Sequence, residues 1–257
     1  MAADYRRPAP LASVAGTESL LPTPAQRSAV LSVELHAHSA ASYDGRDSVD
    51  MLLERAAAAG LDALAVTDHD EVSANPTLVE RAPEYDLVGI PGVEVSSAAG
   101  HVLGLNVTEA VEPGLPFAET IDRIRDQGGI AVVPHPFQEM RSGVLANIDK
   151  SELRTADAVE VYNSRLVTGY SNRQARRFAE RYDVPITAGS DAHVSDMVGR
   201  AVTLVDADEP TAESICEAIV DGRTTLQTRR TPWLVSARQA YGNTRRRIRL
   251  ALDGLLP

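Results

Sequence analysis

What most constrains this chain is a repeated unit: a short apolar run, a polar cluster at its end, then a helix-like stretch. The first run reaches His36; the others are Ala63–Val66, Leu87–Ile90 with Gly92–Val95, Val102–Leu105, Ile130–Val133, Ala158–Val161, Pro185–Ala188 and Val202–Val205. Between them, Ser48 is placed to cap a helix over Val49–Ala59 with Gly60 as its stop. Helical runs are also expected over Phe117–Gln127, Ser171–Tyr182 and Ala212–Val220. Such alternation predicts βα units and a largely parallel sheet, whose strands are buried on both faces and so read as unbroken apolar runs. Titratable residues gather just past the C-terminal ends of the runs, where barrel and open α/β enzymes place their chemistry.

Histidine carries the functional signal. The chain has six, His36, His38, His69, His101, His135 and His193, and each lies at or beside the end of an expected strand. In an extended segment His36 and His38 point the same way, about 7 Å apart. A lone histidine such as His101 is more often a satisfied core or loop residue than a ligand. Six sorted to strand ends together with Asp44, Asp68, Glu94 and Asp191 point instead to a metal site. So many ligands exceed what one tetrahedral ion takes, so two or three ions are expected. Mixed imidazole and carboxylate suits Mn, Zn or Fe better than Mg or Ca. Glu94, on its own strand between the histidine-bearing ones, is the candidate bridging carboxylate.

Five motifs then carry a resemblance: His36-Ala-His-Ser39, Thr67-Asp-His-Asp70, Gly92-Val-Glu-Val-Ser96 with Gly100-His-Val-Leu-Gly104, Pro134-His-Pro136, and Gly189-Ser-Asp-Ala-His193. In this order they resemble the PHP (polymerase and histidinol phosphatase) superfamily, over residues 31 to 205, in its stand-alone phosphoesterase form. The resemblance implies a distorted, TIM-like (β/α)7 barrel with a two- or three-metal centre at the C-terminal ends of its strands. By position it implies His36, His38, Glu94 and Asp191 around a first ion, and Glu94, His101 and His135 around a second. Asp44, His69 and His193 fall around a third; several trinuclear members have His where this chain has Asp44.

The implied reaction is phosphate-ester hydrolysis by metal-activated hydroxide attacking phosphorus. The third ion, with His69 and the candidate catalytic residue His193 around it, is expected to hold the phosphate or leaving oxygen, and Asp68 and Asp70 to orient ligands; the plain alternative for both aspartates is capping a loop. Ser39, Ser96, Arg141 and Arg165 are candidate phosphate contacts; the plain alternatives are turn caps for the serines and solvated surface groups for the arginines. Substrates in keeping with this are a nucleotide, a short nucleic acid or another phosphorylated small molecule. Two rival readings are an amidohydrolase-type C–N or C–O hydrolase and a non-catalytic metal-binding module. The single lysine, Lys150, sits in a loop-like stretch and does not look like a metal-bridging residue, which counts against the first rival.

Composition sets the remaining bounds. No run approaches the roughly 20 apolar residues of a membrane span. The start lacks an apolar signal region, and the single cysteine, Cys216, excludes an intrachain disulfide framework. A cytoplasmic protein with a buried structural thiol and no obligate protein partner is expected. The net charge is −11, built with 24 arginines and one lysine, which suits either a salt-adapted surface or a GC-rich gene. Residues 1–30 read as a flexible leader and 31–222 as the catalytic barrel. Residues 223–257, with eight arginines and one acid, read as a basic segment, helical and packed on the barrel.

Overall fold

A computed structural model describes residues 29–138, 143–165 and 169–228. Its nine strands are β1 Ala29–Glu34, β2 Ala63–Val66, β3 Val88–Ser96, β4 His101–Leu105, β5 Ile130–Val133, β6 Ala158–Asn163, β7 Ile186–Gly189, β8 Ala201–Ala207 and β9 Thr224–Thr228. The helices are α1 Val49–Ala58, α2 Asn75–Arg81, α3 Phe117–Arg125, α4 Lys150–Leu153, α5 Tyr170–Tyr182 and α6 Ala212–Val220. Ser48 caps α1 by accepting the Met51 N–H, and Gly60 follows it with φ 72°. The two apolar runs around Pro91 are one strand, β3. α2, with its proline in the first turn, and β9 have no counterpart in the sequence reading. Lys150 opens the short helix α4.

The strands form one sheet in the order β7-β6-β5-β4-β3-β2-β1-β8-β9. β1–β2, β2–β3, β5–β6 and β6–β7 pair in parallel. β3–β4, β4–β5, β1–β8 and β8–β9 are antiparallel, which corrects the expectation of a largely parallel sheet. The cause is local. Only residues 97–100 join β3 to β4, too short for the helical crossover that parallel neighbours need. The sheet curls until its two ends meet through threonines: Thr203 on β8 donates to the Ala188 carbonyl at 3.1 Å and accepts the Ala188 N–H at 2.9 Å. Thr224 on β9 donates to the Ile186 carbonyl at 2.8 Å. The architecture is thus an α/β, TIM-like barrel, distorted and nearly closed.

Strand alternation sorts side chains between an inner and an outer layer. Ile130, Val132 and Ala158 join one apolar cluster with Leu103, Leu105, Ala63, Ala65 and, from α6, Ile215, Cys216 and Ile219. Their neighbours Ala131, Val133, Val159 and Val161 pack on the other side with Phe117, Ile121 and Ile124 of α3 and Phe178 of α5. α6 therefore closes the barrel end opposite the histidines. Cys216 is buried there and burial pushes its thiol up to about 12, so it stays protonated and packs as an apolar group. No helix among the described residues is long and apolar enough to cross a membrane. The leader boundary falls slightly late, since β1 begins at Ala29, and the basic segment begins with a strand rather than a helix. The remainder of both segments lies outside the described residues.

Candidate metal centre

Glu94, near the C-terminal end of β3, is the hub. Its Oε2 lies 3.3 Å from His36 Nε2, 3.2 Å from His38 Nε2 and 3.4 Å from His69 Nδ1. Its Oε1 lies 2.8 Å from His101 Nδ1 and 3.4 Å from His135 Nε2. One carboxylate thus faces five imidazoles. β1 stops at Glu34, but a parallel bridge between Ala37 and Ala192 keeps the next residues extended, and the rings of His36 and His38 sit 5.2 Å apart. A second bridge, His69 with Glu94, brings the end of β2 to β3. Because β4 runs antiparallel, its first residue, His101, stands beside the last residue of β3, Ser96.

The sixth histidine, His193, packs against His38 with ring centres 4.3 Å apart. His193 Nε2 is 2.7 Å from Asp44 Oδ2, and His69 Nε2 is 3.7 Å from the same oxygen. Asp191 Oδ1 is 3.7 Å from His38 Nε2, 4.0 Å from His36 Nε2 and 3.2 Å from His193 Nδ1. Asp70, His135 and Asp191 hold positive φ of 52°, 33° and 52°. Non-glycine residues pay about 1–3 kcal/mol each for such backbone, a cost that concentrates at functional sites.

Burial and charge compete across the cluster. Burial pushes the Glu94 carboxyl up, yet His101, His69 and His36 outweigh it and hold it well below the usual carboxylate range. Burial likewise lowers His36 and His69, but Glu94 and Glu160 lift His36 well above its ordinary value, and Glu94 and Asp44 lift His69 to about 9. Asp44 is raised by burial and lowered further by His193 and His69, ending below its usual range. His38 goes the other way: burial, then repulsion from His193, brings it down to about 3, so both its nitrogens are neutral at physiological pH.

These donors fit divalent ions. Both ring nitrogens of His38, Nδ1 of His69, His101 and His135, and Oε1 of Glu94 are buried without a hydrogen-bond partner, although nitrogen and oxygen stand close enough for one. Of these, His38 Nε2, His69 Nδ1 and His101 Nδ1 face the Glu94 carboxylate, a placement that a shared ion would satisfy. Two ligand atoms bound about 2.1 Å from one tetrahedral ion lie roughly 3.4 Å apart, the spacing seen around Glu94. Four ligand sets have their atoms within 4.8 Å of one another: His38, His69, His193; His36, His38, Glu94; His36, His135, Asp191; and His69, Glu94, His101. The sets overlap, so they gather eight of the nine expected ligands without dividing them among ions; the ninth, Asp44, stands 2.7 Å from His193 Nε2.

The remaining expected site residues are placed differently. Asp68 accepts the Ser39 N–H and hydroxyl, each at 2.6 Å, and Asp70 accepts the Ser96 N–H at 2.6 Å. Both aspartates therefore fasten loops that carry ligands. The Ser39 hydroxyl is committed to Asp68 and could reach a phosphate only by giving up that bond. Arg165, mostly buried, points Nη1 at Asp191 Oδ1 from 2.9 Å and at His193 Nε2 from 3.0 Å. Arg141 lies outside the described residues.

Two buried carboxylates escaped the sequence reading. Glu160, on β6, has Oε2 2.9 Å from His36 Nδ1. Glu34, at the end of β1, accepts the N–H groups of Ser190 and Gly199 at 2.9 and 3.0 Å and that of His36 at 3.3 Å. A signal existed for both: an acid inside an otherwise apolar strand must find a partner, because burying it alone costs several kcal/mol.

A barrel that gathers imidazoles and carboxylates at one end defines a site that could hold metal ions. Residues 34–112 match the family model of the PHP domain, and residues 169–224 match the PHP-associated family. Over these two stretches the chain is similar to the PHP-domain proteins. An uncharacterized protein of Methanocaldococcus jannaschii is 39% identical over 116 residues, which is 44% of this chain and 49% of that one; the chain spans about half the length of this relative. Among solved structures, a two-domain protein from Bacteroides vulgatus containing a predicted PHP-like metal-dependent phosphoesterase superposes with a TM-score of 0.66 at 19% identity, covering 78% of this chain and 65% of that one. The lesion-specific endonuclease of Pyrococcus furiosus superposes with a TM-score of 0.60 at 18% identity, covering 77% and 58%. At these identities the two structures speak for the fold alone.

Proposed function

We propose that the chain is a metal-dependent phosphoesterase, hydrolysing a phosphate ester of a nucleotide, a short nucleic acid or another small metabolite. The observation that carries this reading is the Glu94 carboxylate surrounded by five histidines, with Asp44, Asp191 and His193 completing the wall. Two or three Mn, Zn or Fe ions held there would offset the charge of the phosphoryl group and acidify the attacking water. His36, His38, Glu94 and Asp191 are assigned to the first ion, Glu94, His101 and His135 to the second, and Asp44, His69 and His193 to the third.

The protein's own groups have distinct tasks. Neutral His38 offers one ring-nitrogen lone pair and keeps a single N–H. Arg165, beside Asp191 and His193, is assigned to offer guanidinium donors to a phosphate oxygen, the fork an anionic substrate needs in an acidic protein. Asp68 and Asp70 fix the Ser39 and Ser96 loops, so they position ligands rather than react. The outer wall is Tyr43, half exposed and stacked on His69 at 4.8 Å between ring centres. It presents an aromatic rim to whatever ester enters.

The test is a screen of mono- and bisphosphates, sugar phosphates and oligonucleotides on protein whose metal content is measured. Activity should vanish on chelation and return with Mn or Zn. Turnover indifferent to chelation, or turnover of amides and lactones with no phosphate ester cleaved, would refute the reading.

A further inference from the structure

Glu160 is as deeply buried as Glu94, lies on β6 and belongs to none of the ligand sets above. We infer that Glu160 is a positioning residue for the metal centre, holding the His36 ring so that Nε2 faces Glu94 and Asp191. The inference rests on the metal reading of the site.

The geometry is a relay of three side chains. Glu160 Oε2 is 2.9 Å from His36 Nδ1, so the proton of the neutral ring sits on Nδ1. That leaves the Nε2 lone pair aimed at the space by Glu94 Oε2, 3.3 Å away, and Asp191 Oδ1, 4.0 Å away. The other oxygen of Glu160 accepts Asn163 Nδ2 at 2.8 Å, and the same amide lies 3.4 Å from Asp191 Oδ2. Asn163 is itself fixed at both ends: its Oδ1 accepts the Arg165 N–H at 3.0 Å, while its backbone N–H and carbonyl exchange bonds with the Asn172 side chain at 3.1 Å each. One carboxylate and one amide therefore set the orientation of His36 on β1 and of Asp191 after β7.

Two further facts argue against a mere packing role. A buried carboxylate costs more than an apolar side chain of the same volume unless it is paired. The neighbouring strand is also cut to fit it: a Cβ on Gly189 would stand 2.6 Å from Glu160 Oε2 and 2.5 Å from His36 Cβ. A carboxylate behind a ligating imidazole fixes its tautomer and raises its basicity, an effect of about 10- to 100-fold in metal affinity.

Glu160→Gln and Glu160→Ala test this on the whole chain. Zn affinity is read by competition with a chromophoric chelator, coordination by the visible spectrum of the cobalt-loaded protein, and folding by the thermal midpoint of the chelated protein. Gln keeps an acceptor for Nδ1–H but offers its amide, a donor, to Asn163. The expected affinity order is wild type, then Glu160→Gln, then Glu160→Ala, with the first step 10- to 100-fold and a changed cobalt spectrum. Glu160→Gln keeps the test open if Glu160→Ala does not fold. Unchanged affinity and spectrum in Glu160→Gln would overturn the inference while leaving the metal centre standing. A wild-type protein that binds no divalent ion would overturn the metal reading itself.

Discussion

Replacing Gly189 by alanine adds one methyl group and removes no ligand, so it isolates packing from coordination. The new Cβ would lie 2.5 Å from His36 Cβ and 2.6 Å from Glu160 Oε2. Carbon atoms normally rest about 3.5–4.0 Å apart, so His36 or β7 must yield by roughly 1 Å. Neither can do so freely. His36 Cβ is tethered to a backbone whose carbonyl accepts the Ala192 N–H and whose own N–H points to Glu34, while Gly189 lies in the β7 ladder beside Asn163. Overpacking of this kind costs about 1–3 kcal/mol. For a domain of this size that lowers the melting temperature by roughly 2–12 °C. The same shift should stretch the 2.9 Å contact between His36 and Glu160, so metal content and turnover should fall together, turnover by about 100-fold for an ångström of misplacement. The control is Gly60→Ala, where the added Cβ meets nothing and only the φ of 72° resists; it should cost ~1 kcal/mol and leave metal content intact. Scanning calorimetry and elemental analysis of both variants decide the matter. A Gly189→Ala protein with wild-type stability and full metal content would refute the reasoning.

Glu34 gives a pH prediction. Burial raises its carboxyl from an ordinary 4.5 to about 7, against the lowering effect of the Ser190, Gly199 and His36 N–H groups. The folded state therefore holds a proton that the unfolded chain releases, so the stabilising contribution is complete below about 4.5 and lost as pH rises through about 7. Urea titrations of chelated wild type and Glu34→Gln should diverge across that window by at most roughly 3 kcal/mol, with the wild type losing relative stability as pH rises. Parallel curves would sink this. For Arg165→Gln, KM for a phosphomonoester should rise about tenfold or more, with metal content largely kept. An unchanged KM would remove Arg165 from substrate binding.

Much of this architecture is local and therefore legible in the chain. Short apolar runs, a serine cap and glycine stops place most of β1–β8, α1, α3, α5 and α6 within a few residues, because burial on two faces and capping are properties of neighbours in sequence. Eight of the nine candidate ligands are expected for the same reason, since each stands at, beside or just past an end of a run, whereas Asp44 lies in the turn that follows the first one. Strand direction was not legible. Whether β4 runs parallel depends on the length of a turn, and β9 is a polar strand, Thr-Thr-Leu-Gln-Thr, which owes its place to β8 rather than to its own pattern. The reach of each side chain was not legible either. Asp68 and Asp70 look like Asp44 in sequence, but only in three dimensions do they meet the backbone of Ser39 and Ser96 rather than an imidazole. Sequence by itself determined the parts and the chemistry of this centre, because composition and short-range order fix what a strand end carries. Tertiary structure decided that one carboxylate, Glu94, faces five histidines and that Glu160 and Glu34 stand behind them. Pairs such as His36 and Glu94, 58 positions apart, His36 and Glu160, 124 apart, and Glu34 and Ser190, 156 apart, meet only when the sheet curls into a barrel.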